Sequence, residues 1–124
     1  MDVPGFLARQ FYVAGSLRNT PDGFSLAARN PMGDGTLTGI GRLAVDGREI
    51  PPEAVSAVRQ GDSTVFQASG VSRQHPIAVR KGDQIILRVV GSQLAPGEHR
   101  LEVELSELNL GGLRLALTDR LSSS

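Results

Sequence analysis

Glu98-His99-Arg100-Leu101-Glu102-Val103-Glu104-Leu105 is the stretch on which the fold turns. In an extended chain successive side chains point to opposite faces, so Glu98, Arg100, Glu102 and Glu104 fall on one side and His99, Leu101, Val103 and Leu105 on the other. One face is wet and the other buried, as in a strand of a sheet packed on a second layer. The apolar positions are odd through Leu105 but even at Leu108 and Leu110. Parity with a period of two flips only when an extra residue is inserted, which predicts a β-bulge near Ser106-Glu107. With Gly111-Gly112 as a two-residue turn, Leu110 would then face Leu113, Leu108 would face Leu115, and Leu105 would face Leu117 in one leucine-rich surface.

Working outward, the same pattern of short runs bounded by Gly, Pro, Asp or Asn recurs about every ten residues. Val13 to Asn19 and Phe24 to Asn30 flank Thr20-Pro21-Asp22-Gly23, where Pro presets a turn and Gly accepts positive φ. Thr36 to Val45 and Arg48 to Ile50 flank Asp46-Gly47, a favoured type I′ pair, and Pro51-Pro52 ends the second strand. Ala54 to Arg59 and Thr64 to Ala68 flank Gln60-Gly61-Asp62-Ser63, and Ile77 to Val79 and Gln84 to Val90 flank Arg80-Lys81-Gly82-Asp83; both read as strand, turn, strand. A longer loop, Gly91 to Gly97, leads into the stretch quoted first. No window repeats helical apolar spacing over three turns, so the expected fold is an all-β, two-sheet antiparallel sandwich. Three of the five aromatic residues, Phe6, Phe11 and Tyr12, crowd into the first dozen positions. We therefore divide the chain into an apolar N-terminal segment at 1–12 that packs on something, a sandwich domain at 13–120 and a flexible tail at 121–124.

Composition removes several functions. Thirteen basic and thirteen acidic residues cancel, which disfavours nucleic acid and acidic membrane surfaces as partners. The absence of Cys and Trp and the single Tyr exclude a disulfide scaffold and a thiolate zinc site, and weaken any reading that needs stacking platforms for sugars or single-stranded bases. No basic leader followed by an apolar run and no long apolar stretch is present, so a cytoplasmic protein is expected.

No catalytic, cofactor-binding or metal-binding residue is assigned within the chain. Its two histidines, His75 and His99, would have to converge with a carboxylate to hold a metal; His75 precedes Pro76 in a loop, and His99 suits a hydrogen-bonded structural role. The acids lie in turns (Asp22, Asp34, Asp46, Asp62, Asp83) or on the wet face of the last strands, where solvation explains them. Gly33-Asp34-Gly35 and Gly39-Ile40-Gly41 lack the helix that a phosphate loop requires and read as turn or bulge. The loop from Asn30 to Thr36 is the segment best placed for recognition, since loops on a rigid sandwich carry contacts. Phe6, Phe11, Tyr12, Arg18, Asn30, Met32 and Asp34 are the candidate partner contacts.

Val13-Ala14-Gly15-Ser16-Leu17-Arg18-Asn19, Leu43-Ala44-Val45-Asp46-Gly47-Arg48-Glu49-Ile50-Pro51 and Leu94-Ala95-Pro96-Gly97-Glu98-His99-Arg100-Leu101-Glu102-Val103 resemble, in order and spacing, the small β subunits of bacterial C-glycoside deglycosidases. That resemblance implies a non-catalytic accessory subunit in a hetero-oligomer with a larger α subunit, a sugar-isomerase-like barrel. There the partner carries the acid-base residues and a divalent metal, manganese, and the lyase-type complex cleaves the C-glycosidic bond of oxidised (3-oxo) C-glycosides. The alternative is a stand-alone β-sandwich binding or structural module that forms a homo-oligomer.

Overall fold

Two antiparallel sheets face each other in the computed structural model, which describes residues 1–61 and 63–121. Among the described residues the elements are a short helix, α1 (Gly5–Phe11), two 3-10 turns (Pro52–Ala54 and Ala68–Gly70) and ten strands: β1 (Arg18–Thr20), β2 (Gly23–Arg29), β3 (Gly35–Val45), β4 (Arg48–Ile50), β5 (Val55–Arg59), β6 (Val65–Gln67), β7 (Ile77–Val79), β8 (Gln84–Val90), β9 (Gly97–Glu107) and β10 (Gly111–Leu121). One sheet runs β1-β2-β8-β5-β6 and the other β10-β9-β3-β4, with β7 also paired to β3. The all-β sandwich expected from the alternating runs is the fold, and its core lies between the sheets, where Leu26, Ile77, Leu101 and Val55 are the largest of the fully buried side chains.

Turn chemistry works as the residues dictate. Asp46 and Gly47 both take positive φ, 53° and 81°, the type I′ geometry whose twist matches the strands it joins. The Arg80 to Asp83 turn has a different role from the one its sequence suggests. β7 pairs with β3 and β8 lies between β2 and β5, so the two strands form no hairpin and the turn carries the chain from one sheet to the other. Val13 to Leu17 is likewise no strand. Gly15 turns the chain with φ 78°, and the Ser16 hydroxyl accepts the Ala27 N–H at 2.9 Å, so regular pairing begins only at Arg18.

The bulge predicted near Ser106-Glu107 of β9 is not formed, and the irregular pairing lies on β3. β9 and β10 pair without interruption, Leu105 opposite Leu113, Val103 opposite Leu115 and Leu101 opposite Leu117, around a three-residue turn at 108–110. Leu108 and Leu110 therefore belong to the turn, and their change of parity needs no bulge in β9. Instead β3 carries two shifts against β9, between Leu37 and Gly39 and between Ile40 and Arg42. The extra residues let Leu37, Ile40 and Leu43 all face inward despite odd spacings, and Gly39-Ile40-Gly41 supplies the small residues that such bends tolerate.

The N-terminal segment and Leu121 both join the sandwich. Met1 to Val3 bond to β10, with the Val3 N–H donating to the Arg114 carbonyl at 2.9 Å and the Arg114 N–H to the Met1 carbonyl at 2.9 Å. α1 then lays Ala8 against Leu113 and Leu115, and Tyr12 bridges to Ala28 of β2. The segment thus spans from one sheet to the other and walls one side of the sandwich. Leu121, read from sequence as the start of a tail, ends β10 opposite Gly97 and is 3 % exposed. The rest of that tail, 122–124, and the turn residue Asp62 lie outside the described residues.

Candidate functional site: an apolar cleft between the sheets

Leu37, Val103, Leu105 and Leu117 sit on the inward faces of their strands yet remain only partly buried. Their exposure comes from a cleft of about 310 Å³ that opens between the sheets beside α1. Its floor is apolar: Leu26 from β2, Ile85 and Leu87 from β8, Leu37 and Ile40 from β3, Val103 and Leu105 from β9, and Leu113, Leu115 and Leu117 from β10. Polar groups gather at the mouth, where Asn30, Asp34, Asp83, Glu107 and Arg29 join Met32 and Leu110.

The loop at the mouth is built by Asn30. Its side-chain oxygen accepts the Met32 N–H at 3.1 Å and its amide donates to the Gly33 carbonyl at 2.9 Å, a local Asx arrangement that turns the chain. The Asn30 backbone bonds to the β7–β8 turn through Asp83 and Gly82 at 2.9 and 2.7 Å. Asp34 accepts the Lys81 N–H at 3.4 Å. Met32 is thereby presented to solvent, 46 % exposed, on a loop tied down at both ends.

Glu107 organises the other lip. One carboxylate oxygen accepts the N–H groups of Asn109 and Leu110, each at 2.8 Å, and the other accepts the Thr36 N–H at 3.0 Å. The Leu108 N–H donates instead to the Thr36 carbonyl at 2.9 Å, so all three turn donors are satisfied, and Leu108 and Leu110 project, each 48 % exposed. The Thr36 and Leu110 N–H groups hold the Glu107 carboxyl below the usual carboxylate range. Neither Glu107 nor Leu110 was among the candidate contacts read from sequence. The signal was the apolar Leu108 and Leu110 flanking Asn109, which were assigned to strand.

Five of the seven candidate contacts, Phe11, Tyr12, Asn30, Met32 and Asp34, come together along this cleft. Phe6 lies on α1, 70 % exposed, and Arg18 is exposed on β1; neither lines the cleft. The Tyr12 hydroxyl donates to the Asp119 carboxylate, which also accepts the Leu17 N–H at 3.4 Å. Burial, together with that carboxylate, pushes the Tyr12 phenol well above its usual pKa.

His99 closes the opposite end of the sandwich. It is 9 % exposed; Nδ1 lies 2.6 Å from the Asp46 carboxylate and Nε2 lies 2.6 Å from the Ala95 carbonyl. Both neighbours are acceptors, and only an imidazolium donates from both nitrogens. The Ala95 carbonyl and then the Asp46 carboxylate raise its pKa accordingly. Asp46 itself accepts the Arg100 N–H at 2.9 Å, which with His99 holds its carboxyl low. This is the structural histidine the sequence suggested. His75 lies in an exposed turn, its N–H donating to the Ser72 carbonyl at 3.1 Å. Among the described residues, no three His, Cys, Asp or Glu side chains gather as metal ligands would, and no helix is long and apolar enough to cross a membrane.

A search among curated proteins finds no match to the chain. Comparison with known families does find one, and it corrects the resemblance to C-glycoside deglycosidase β subunits drawn from sequence. Two of the three stretches behind that resemblance are the β3–β4 hairpin and the loop entering β9, turn-plus-strand units that many sandwiches share, so they carry the fold and not the family. The 3-oxo C-glycoside chemistry, the manganese and the barrel partner lose their support with it. The match covers residues 7–122, nearly the full length, and the chain belongs to the family described as the hydroxymethylglutaryl-CoA reductase N-terminal domain.

Proposed function

We propose that this chain is a non-catalytic β-sandwich unit that docks onto a larger catalytic protein through the end bearing the cleft. The observation that carries this reading is the set of exposed apolar side chains, Met32, Leu108 and Leu110, held out by the Asn30 and Glu107 networks on either lip. Rigidly presented apolar residues at a rim of polar ones are how an interface is anchored. The outer face of β3, β9 and β10 is a poorer candidate. There Arg42 pairs with Glu49 and Glu102, and Arg114 with Asp2 and Glu104, so its charges are already answered within the chain.

The family's own description, a domain named for its place in a reductase, supports pairing with a catalytic unit and points to a reductase-type partner. The assembly in this reading is a hetero-oligomer in the cytoplasm, a compartment that suits a chain without cysteine. A divalent metal would belong to the partner, because both ring nitrogens of His99 are taken and His75 stands alone in its turn among the described residues. The test is co-expression with a reductase-type catalytic protein from a neighbouring gene, read by size-exclusion chromatography with light scattering. The expected result is co-elution that Met32→Asp and Leu110→Asp abolish, and self-association or poor solubility of the chain alone. A well-behaved monomer that ignores that neighbour overturns the reading, and a discrete homo-oligomer would favour the stand-alone module.

A further inference from the structure

We propose that the cleft between the sheets is a binding site for a neutral, apolar small molecule of roughly a dozen to seventeen non-hydrogen atoms. The inference goes beyond the docking role, because it concerns the chain alone and needs no partner.

Three observations carry it. The first is size. An engineered cavity of about 150 Å³ lined by aliphatic and aromatic side chains stays dry and takes up benzene. The cleft here is about 310 Å³, roughly double, and reaches the lower end of the range of small-molecule sites. The second is the state of its walls. Leu37, Val103, Leu105 and Leu117 lie on inward faces where Leu101, one step along β9, is fully covered, so these side chains lack the partners that a closed sandwich would give them. A guest of apolar surface would restore the missing contacts and displace water that the walls cannot bond.

The third observation is charge, and it selects the class of guest. Among the lining residues, three carboxylates, Asp34, Asp83 and Glu107, stand against the single cation Arg29. The Asn30 amide is already donating to Gly33 and Val79, at 2.9 and 3.4 Å. The N–H groups of Asn109, Leu110 and Thr36 are taken by Glu107. An anionic head group would meet repulsion and committed donors, whereas a hydroxyl or plain hydrocarbon end would not. The site therefore suits a medium-length alcohol or an alicyclic or bicyclic hydrocarbon, and discriminates against a fatty acid of the same chain length.

The test is a titration of the full chain with N-phenyl-1-naphthylamine, a neutral dye that brightens in apolar surroundings, followed by competition with 1-decanol and with decanoate at neutral pH. Saturable binding of one dye per chain is expected, with decanoate competing roughly tenfold less well than decanol and Asp34→Lys narrowing that gap. Ala28→Phe, which places a ring in the cleft from β2, should abolish the signal. A linear, unsaturable titration, equal competition by the two ligands, or a folded Ala28→Phe chain that binds as well as the parent each overturns the proposal. Should Ala28→Phe not fold, nuclear Overhauser contacts from decanol to the methyls of Leu37, Ile85 and Leu117 in the unaltered chain decide: their presence sustains the site and their absence ends it. Because no partner enters these measurements, their failure leaves the docking reading untouched, and the reverse holds.

Discussion

Replacing His99 by Gln removes the cation from the knot that ties β9 to the β3–β4 turn. In the folded chain the His99 ring, when protonated, donates to Asp46 and to Ala95, both at 2.6 Å, from a site only 9 % exposed. Gln is neutral and reaches one acceptor at a time, so one charge-assisted bond is lost. Such a bond contributes about 1.5–3 kcal/mol when shielded from water. The Asp46 side chain is 53 % exposed, which discounts the pairing, and a loss of about 1–2 kcal/mol below neutral pH is the working figure. For a domain of this length that corresponds to a drop in Tm of about 4–8 °C.

The pH dependence separates this account from a simple packing defect. The folded pKa of His99 is raised above the unfolded value of about 6.5, so between the two the folded chain holds a proton that the unfolded chain has released. The stabilisation is complete below the unfolded pKa and fades as pH rises through the folded one. Urea unfolding followed by circular dichroism at about pH 6 and about pH 9 should show the gap between parent and His99→Gln shrinking at the higher pH. A gap of equal size at both would refute the imidazolium. Asp46 acts on the other limb: its lowered pKa adds stability above about pH 3.9 that disappears as pH falls through the folded value.

Leu101→Ala empties a site that is 1 % exposed in the middle of the core and should cost about 3–4 kcal/mol, read from the shift in urea midpoint at unchanged slope; a loss under about 1 kcal/mol would show that the sheets close over the gap. Gly23→Ala would set a Cβ 1.9 Å from the Val89 carbonyl oxygen across the β2–β8 ladder, so the backbones must separate there. Heteronuclear spectra should show displaced amides at Phe24 and Gly91 and a markedly lower melting point, and an unperturbed spectrum would contradict the close approach.

Much of the architecture is legible in local chemistry. Asp46-Gly47, Pro21-Asp22 and the Gly82-Asp83 pair mark turns because few residues accept those backbone angles at low cost. The alternation from Glu98 to Leu105 marks a one-sided strand because its side chains divide cleanly by polarity. His99, a polar residue on the apolar side of that strand, was recognisable as structural because a buried imidazole requires hydrogen-bond partners, but that these are Asp46 and Ala95 was decided by the tertiary structure. The cleft was half legible: Asn30, Met32 and Asp34 stood out as an irregular loop on a rigid frame, and Phe11 and Tyr12 as aromatics without an evident strand.

What local pattern could not assign is which pieces meet. Ile77 to Val79 and Gln84 to Val90 are each plain strands, but the four-residue turn between them is compatible with a hairpin or with a crossing between sheets, and only the buried partners of Ile77 on β3 select the crossing. The parity flip visible near Ser106 is absorbed by the three-residue turn that holds Leu108 and Leu110, and the bulges lie instead on β3, where the Leu37, Ile40, Leu43 spacing requires them. The cleft follows from the same long-range accounting. Its leucines look in the sequence like any buried face, and their incomplete cover arises from the gap left where two twisted sheets, a seven-residue helix and one loop fail to close on each other. Backbone angles and alternation are properties of neighbours along the chain, whereas sheet membership, register and voids depend on free energies shared among residues far apart in it.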